Sequence, residues 1–183
     1  PPRGVEGATD VVVFIDVGTS ATGGAPARER EQHDLGKCTF NTWSELIACH
    51  LATYRPRFRA AELSLDVPEP DLPTDEQVAA LRRGNPDPGL IALYFAYGRY
   101  LLIAATLRAD LPPNLQGKWN EDIDPPWSSD YHHDINLQMN LWPAETTGVT
   151  EAAETFFRHV ERCVPHGRKA ARDLYDAGGV WLP

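Results

Sequence analysis

The segment from Asp110 to Glu145 constrains this chain more than any other stretch of its sequence. It holds three of the five Trp residues, two adjacent His, four Asn and two Gln beside several carboxylates. A hydrophobic core is not built from this mixture. Indole rings stack on the apolar C–H face of a sugar, while amides, imidazoles and carboxylates match sugar hydroxyl groups. The segment therefore predicts a site for a small hydroxyl-rich ligand such as a sugar.

Helices are predicted around a long loop that occupies residues 110–131. That loop is rich in Pro, Gly and Trp, and loops of such length in compact domains usually serve a function. After it, a helical region is expected to begin near Asp134, with Pro143 interrupting it. A further helix is predicted from Thr150 to Tyr175, with a break at Pro165.

Upstream of the loop the pattern is also helical. Thr74 and Gln77 have the spacing of a capping box, and the helix that they start should stop at Gly84. Asp87 followed by Pro indicates another helix start. Residues 90–107 are apolar on nearly every side, so this helix is expected to be enclosed by others.

The N-terminal part of the chain predicts a strand, a helix and a connection. Residues 11–17 are β-branched and predict one buried strand, whose sheet partners should lie mostly outside this chain. An amphipathic helix is predicted over residues 42–61, kinked or ended early by Pro56. Residues 62–66 alternate like a short strand, and the prolines within residues 68–73 form a stiff connection that marks a boundary.

Charge and composition argue against several classes of function. The formal net charge of −9 argues against nucleic acid and anionic membrane surfaces as partners. The best apolar run is interrupted by Gly98 and Arg99, so no membrane-spanning segment is expected. The cysteines lack a CxxC spacing, which favours structural thiols over a disulfide or a metal site. They are Cys38, Cys49 and Cys163.

A polar cluster lies at the junction between the long loop and the following helix. It consists of His132, His133, Asp134 and Asn136. A rigid element at this position can present polar groups into a cavity. On a helix, Asp134 would share a face with Gln138, and Asn136 with Asn140, because residues four apart lie on one side. These side chains are therefore candidates for ligand contacts.

Two other chemistries fit this cluster less well. A zinc site needs three or four converging ligands, whereas the adjacent His132 and His133 point in different directions and no HExxH or Cys pair accompanies them. No metal site is therefore predicted. A serine hydrolase could recruit Ser128 or Ser129, but the sequence contains no GxSxG motif.

A structural interpretation stays open for each single residue. Asp134 would then cap the helix, Asn136 and Asn140 would satisfy loop carbonyls, and the Trp side chains would belong to the core. In the same way, Arg99 would pair with a carboxylate, and the charged residues 158–172 would form a solvated helix face. For the whole cluster this interpretation is weaker, because buried polar groups are costly to accumulate.

At these residues the sequence resembles a known family. The run YGRYLLIAATLRADLPPNLQGKWNEDIDPPWSSDYHHDINLQMNLWPAE is similar to the catalytic domain of glycoside hydrolase family 95. The upstream LPTDEQV, and the helix that carries His50, Tyr54 and Phe58 before LSLD, also resemble that family. The resemblance extends from about Trp43 onward. It implies an α-L-fucosidase that cleaves α-1,2-linked fucose with inversion.

The resemblance also implies a fold and a division of the chain. The implied fold is mainly α, a partial (α/α)6 barrel or toroid preceded by a remnant β-strand and a helical linker. Residues 1–40 would be the remnant of an N-terminal β domain with a loop, residues 41–72 the linker and residues 73–183 the first part of the catalytic domain. The family's general acid and general base would lie beyond this chain, so the isolated chain is expected to have little or no activity.

The roles of site residues follow from the same resemblance. The family's Asn-x-Asn pair, which helps to position and activate the attacking water, falls on Asp134 and Asn136, with an acid replacing the first amide. His132 falls where a His favours fucose over galactose. The other predicted substrate-binding residues are Trp119, Trp127, Trp142, Asp130 and Tyr131.

The implied partner is a fucosylated oligosaccharide, and no cofactor, nucleic acid or membrane is implied. Two alternatives remain open. One is a non-catalytic carbohydrate-binding relative, which Asp134 favours; the other is an α-L-galactosidase of the same family, which His132 disfavours. The sequence leaves open the oligomeric state and the compartment, although a secreted or cell-envelope parent enzyme is one expectation.

Overall fold

The computed structural model describes residues 42–68, 72–85 and 87–182, together with the single residues Gly7, Thr9, Val11 and Val13. The strand predicted over residues 11–17 therefore lies almost entirely outside the described residues. Two compact units divide the chain, Pro1–Ala48 and Cys49–Pro183.

Helices dominate the described residues. They are α1 (Trp43–Phe58), α2 (Thr74–Arg82), α3 (Pro88–Thr106), α4 (Asn136–Leu141), α5 (Pro143–Thr146) and α6 (Thr150–Tyr175), with a 3₁₀ turn at Pro126–Ser129 between α3 and α4. Within the described ranges there is no strand, only one isolated bridge between Asn114 and Gly117. The prediction of a mainly α chain is confirmed, and these helices are consistent with part of an (α/α)6 toroid.

Helix α3 starts as its sequence predicts. The Asp87 side chain accepts a hydrogen bond of 2.9 Å from the Gly89 backbone N–H, and Pro88 occupies the first turn. The stop predicted for the preceding helix is also confirmed, because α2 ends at Arg82 and Gly84 adopts φ +88°. A left-handed residue after a helix is most easily supplied by glycine.

The capping box predicted for α2 is wrong. Its N-cap is Pro73, and no side chain caps the helix. Gln77 is instead buried, and its Nε2 donates a 2.6 Å hydrogen bond to the Leu72 backbone carbonyl. The amide therefore bonds to the chain before the helix rather than to the Thr74 backbone. The short strand predicted over residues 62–66 is also absent, because this segment has no regular secondary structure and Asp66 adopts φ +49°.

Proline affects the long helices less than the sequence predicts. Helix α1 ends two residues after Pro56, as expected, whereas α6 continues through Pro165 to Tyr175. The predicted break is therefore wrong. Apolar and small residues on both sides of the proline pack on the same face of α6, which offsets the lost backbone hydrogen bond. The buried residues on this face include Ala152, Thr155, His159, Gly167 and Ala171.

The core forms where α3, α4, α5 and α6 meet. Its buried members are Leu102, Ile103, Leu137, Leu141, Ala144, Val149 and Ala152. Half-buried aromatic residues pack around them, including Tyr54 and Phe58 of α1 and Tyr131 of the long loop. The core therefore anchors the loop and α4, which carry the predicted site residues.

Helix α3 is less enclosed than its apolar sequence predicts. Its buried residues all lie at or after Arg99, whereas Tyr94 is 78% exposed and Ile91 58% exposed. The expectation of full enclosure is wrong for the described residues, because large side chains of α3 stay exposed beside the other described helices. Helix α3 is the one described helix that is long and apolar enough to cross a membrane. Core helices of water-soluble proteins meet the same criteria of length and composition.

Arg99 connects α3 to the ends of two other helices. Its guanidinium donates to the backbone carbonyls of Arg57, Phe58, Ala61 and Thr147. Arg57 and Phe58 end α1, Ala61 follows three residues after that end, and Thr147 is the C-cap of α5. Helix C-termini carry unpaired carbonyls and partial negative charge, which a cation satisfies. The predicted pairing of Arg99 with a carboxylate is therefore wrong.

The chain after α6 folds back onto that helix at Gly167. The Trp181 N–H donates a 3.1 Å hydrogen bond to the Gly167 carbonyl. A Cβ atom at residue 167 would lie 2.6 Å from Val180 Cγ1 and 2.9 Å from the Trp181 carbonyl oxygen. Only glycine allows this close approach of the two segments.

Candidate active site

Side-chain amides hold the long loop in place. Asn114 and Gly117 exchange backbone hydrogen bonds of 3.3 and 2.9 Å, and the Asn114 side chain accepts from the Gln116 N–H. Gln116 donates 3.0 Å to the Pro126 carbonyl, which ties the two halves of the loop together. Asn140 of α4 donates 2.8 Å to the Asn114 carbonyl. The predicted role of Asn140 in satisfying a loop carbonyl is therefore confirmed.

Asp130 and Tyr131, both predicted to bind substrate, also bond within the loop. The Tyr131 hydroxyl donates 2.9 Å to the Pro112 carbonyl, and its backbone N–H donates 2.8 Å to the Asp130 carboxylate. Burial raises the pKa of Tyr131; among nearby charges, Arg162 lowers this pKa and Asp130 raises it. These contacts give Tyr131 a structural role and leave the exposed Asp130 carboxylate at the loop surface.

The three indoles of the segment are exposed. Trp119 is 53% exposed, Trp142 67% and Trp127 75%. The interpretation that they belong to the core is wrong, because core aromatic residues do not leave most of their surface in solvent. Trp127 meets the His132 ring edge to face, with centroids 5.9 Å apart, and Trp119 lies 6.5 Å from Tyr100. The structure thus joins one predicted indole to the predicted sugar-contacting imidazole.

Left-handed backbone positions Trp127 at the loop surface. Trp127, Ser128 and Ser129 have φ values of 56°, 56° and 50°. Non-glycine residues in this region store about 1–3 kcal/mol each, and such strain clusters at functional sites. In addition, the Ser129 hydroxyl and the side-chain amide oxygen of Gln116 are buried without a hydrogen-bond partner in the described structure.

Helix α4 has one buried apolar face and one exposed polar face. Leu137 and Leu141, four residues apart, are 2% and 7% exposed and pack into the core. Asn136 begins the helix and is exposed, as is Asp134 before it. Neither side chain makes a hydrogen bond to another described residue. Both are therefore available to a ligand.

Two structural expectations for Asp134 are wrong. It does not cap α4, because the N-cap is Ile135 and no side chain bonds to the first turn. It also does not share a helix face with Gln138, since α4 begins only at Asn136. Gln138 instead donates to the His133 carbonyl. These outcomes leave Asp134 without a structural function in the described residues.

His133 and His159 form a contact between two imidazoles that the sequence did not predict. His133 Nε2 is 3.1 Å from His159 Nε2, and Cys163 Sγ is 3.7 Å from the same His159 atom. Burial lowers the pKa of His159, and the neighbouring His133 and Arg162 lower it further. The available signal was the four-residue spacing of His159 and Cys163, which places both on one face of α6.

The cavity found beside the core lies away from the predicted site residues. It has a volume of about 560 Å³ and is lined by residues 58–59 and 61–67, by Gln77 and by the first half of α3 with Arg99. None of the predicted site residues lines it. The candidate active site therefore lies on the exposed surface of residues 110–145, where the contact of Trp127 with His132 brings two predicted site residues together.

Comparison with known proteins gives the family of this chain. Residues 42–183 match the glycosyl hydrolase family 95 catalytic domain. The chain is 38% identical over 146 residues to a protein named probable alpha-fucosidase A from Aspergillus niger, covering 77% of this chain and 18% of that protein. It is 37% identical over 147 residues to alpha-L-fucosidase 2 of Arabidopsis thaliana, covering 77% of this chain and 17% of that protein.

A third relative, named probable alpha-fucosidase A, comes from Aspergillus oryzae. It is 38% identical over 146 residues, covering 76% of this chain and 20% of that protein. The chain thus spans about a fifth of the length of these curated relatives. Because the family match covers most of the chain and includes the long loop, α4 and α6, this chain belongs to glycosyl hydrolase family 95 and carries part of its catalytic domain.

Proposed function

We propose that the full-length protein that contains this chain hydrolyses terminal α-L-fucosyl linkages in glycans, with α-1,2-linked fucose as substrate and with inversion. Family membership supports a glycoside hydrolase, and the relatives are named as fucosidases. The single observation that carries the proposal is the contact of the exposed Trp127 indole with the His132 imidazole, within a segment whose indoles are all more than half exposed.

Trp127 and His132 are proposed to bind the sugar. An exposed indole offers a flat apolar surface to the C–H face of a pyranose, and an imidazole can donate to or accept from a hydroxyl group. The edge-to-face contact between these rings, at 5.9 Å, fixes their relative orientation. Trp119 and Trp142, also more than half exposed, are proposed to complete the apolar walls.

Asn136 and Asp134 are proposed to position the water that attacks the anomeric carbon. Both are exposed and make no side-chain hydrogen bond to a described residue, so their polar atoms are available to a water molecule. Inverting hydrolysis also needs a general acid and a general base about 6.5–9.5 Å apart. In this proposal, the rest of the full-length protein supplies those two carboxyl groups.

The activity is tested by comparing an aryl α-L-fucoside with an aryl α-L-galactoside on the full-length protein. The two sugars differ at C6, where galactose carries a hydroxyl that fucose lacks. We expect kcat/KM to favour the fucoside by about 100-fold, the discrimination typical for one hydroxyl group. Proton NMR should detect β-fucose as the first product. Preference for the galactoside, or α-fucose as the first product, would contradict the proposal.

Asp134 favours a second candidate function, a non-catalytic carbohydrate-binding protein. The resemblance implies an amide at this position, and the structure leaves the acid without a capping or pairing role that would explain it. In that case the full-length protein would bind fucose without turning over a fucoside. Intrinsic Trp fluorescence measures the binding, and release of the aryl group measures turnover.

Replacing Asp134 with Asn separates the two candidates. If the protein is a fucosidase, the D134N variant should stay active, and its pH–rate profile should shift to lower pH, because removing a negative charge lowers the pKa of nearby carboxyl groups. If the protein is a binding relative, turnover should appear only in D134N. Asp124→Asn, which removes the same charge from an exposed loop position, is the control and should leave the profile unchanged.

A further inference from the structure

His133, His159 and Cys163 converge from two separate elements. His159 and Cys163 lie four residues apart on α6, and His133 precedes α4. Two imidazoles and a thiol are a ligand set that zinc accepts. Their ligating atoms all lie within 4.8 Å of one another. The cluster is more buried than the predicted site indoles, because His159 is only 7% exposed.

The spacing of these atoms matches the edges of a small tetrahedron. Zinc binds nitrogen at about 2.0–2.1 Å and sulfur at about 2.3 Å. In a tetrahedral site, two nitrogen ligands then lie about 3.3 Å apart, and a nitrogen and a sulfur ligand about 3.6 Å apart. The observed values are 3.1 Å between the His133 and His159 Nε2 atoms and 3.7 Å between His159 Nε2 and Cys163 Sγ. The third edge, between His133 and Cys163, lies within 4.8 Å.

Neighbouring groups hold two of the three ligands. Gln138 donates to the His133 carbonyl, and the Tyr131 ring lies 4.7 Å from the His159 ring. The two imidazole planes are within 9° of parallel, and their Nε2 atoms are 3.1 Å apart. A metal about 2.0–2.1 Å from each nitrogen lies off the line between them, so the two rings turn when they bind it. His133 and Cys163 are half-buried, so an ion can reach the cluster from solvent.

We propose that His133, His159 and Cys163 form a binding site for zinc or a similar divalent transition metal. The two imidazoles bind through Nε2, the sulfur binds as the thiolate, and the fourth position is taken by water. The metal replaces the contact between the two imidazoles and lies off the line that joins their Nε2 atoms. It connects the long loop to α6 and stabilises the folded chain in proportion to its occupancy.

Cobalt titration of the full-length protein tests this site. Co²⁺ replaces zinc in such sites and, when a thiolate binds it, produces a sulfur-to-metal charge-transfer band in the near ultraviolet. Tetrahedral Co²⁺ also gives intense visible bands. We expect both bands, and we expect added Zn²⁺ to remove them. The same titration of Cys163→Ser should lose the charge-transfer band, and His133→Asn should bind cobalt at least about 10-fold more weakly.

Two matched variants control for other thiols and imidazoles. Cys49→Ser removes an exposed free thiol, and His166→Asn removes an exposed imidazole on α6; both should keep the parent spectrum. Zinc should also raise the melting temperature of the parent and of both controls, but not that of Cys163→Ser. Absence of the charge-transfer band in the parent, or its survival in Cys163→Ser, would overturn the proposal and leave the cluster as a hydrogen-bonded imidazole pair.

Discussion

Replacing Arg99 with Met is expected to lower the free energy of unfolding by about 3 kcal/mol or more, because each buried carbonyl that loses its partner costs about 1–3 kcal/mol. Arg99 is 3% exposed and donates to four backbone carbonyls. Methionine keeps much of the side-chain volume but offers no donor. The C-terminal carbonyls of α1 and the Thr147 carbonyl would then be buried without partners.

Arg82→Met is the matched control for this variant. Arg82 lies in the last turn of α2 and is exposed, so its loss should change stability by less than about 0.5 kcal/mol. Denaturant unfolding of the full-length protein, followed by Trp fluorescence, gives the midpoint for each variant. Equal midpoints for the Arg99 and Arg82 variants would contradict the role of Arg99 at the helix ends.

Replacing Asn136 with Ala is expected to lower kcat for an aryl α-L-fucoside by about 100- to 1,000-fold, the loss typical when one positioned hydrogen-bonding group is removed from an active site. The expectation follows from the proposed role of this amide in positioning water. Because Asn136 is exposed and makes no side-chain bond to a described residue, the substitution should leave stability nearly unchanged. Steady-state kinetics and a melting curve measure the two effects separately.

Asn85→Ala controls for the loss of an exposed amide. Asn85 follows α2, is exposed and makes only a backbone hydrogen bond to Ala80. Its loss should leave kcat unchanged. Activity of the Asn136 variant within a few-fold of the parent would remove Asn136 from the catalytic machinery.

Local sequence signals predicted the helices well where those signals are strong. Asp87 followed by Pro starts α3, Gly84 follows the end of α2, and α6 spans Thr150–Tyr175 as predicted. The errors occur where tertiary contacts override a local rule. Pro165 does not break α6, because the buried face on both sides of it keeps the helix continuous.

Long-range polar contacts could not be predicted from the sequence. Arg99 resembles any helical arginine until the fold places the ends of α1 and α5 beside it. His133 forms a cluster with His159, a residue twenty-six positions further along the chain. Periodicity and capping rules contain no information about contacts of this kind, which depend on how helices pack.

The candidate site was predicted in composition but not in geometry. Residues 110–145 do carry exposed indoles and polar groups, as the sequence indicated. Asp134, however, precedes the helix rather than lying on it, and Tyr131 bonds within the loop. The packing of Leu137 and Leu141 into the core determines which side of α4 is buried. A helix of six residues is too short for its hydrophobic periodicity to predict this.

A crystal structure of the full-length protein with fucose bound tests the central claim most directly. The distances from the sugar to the Trp127 ring, to His132 and to Asn136 are the measurement. We predict that fucose stacks on an indole of residues 110–145, with a hydroxyl group within hydrogen-bonding distance of His132 and the anomeric carbon facing Asn136 across one water molecule. Fucose bound elsewhere, touching none of these side chains, would contradict the account.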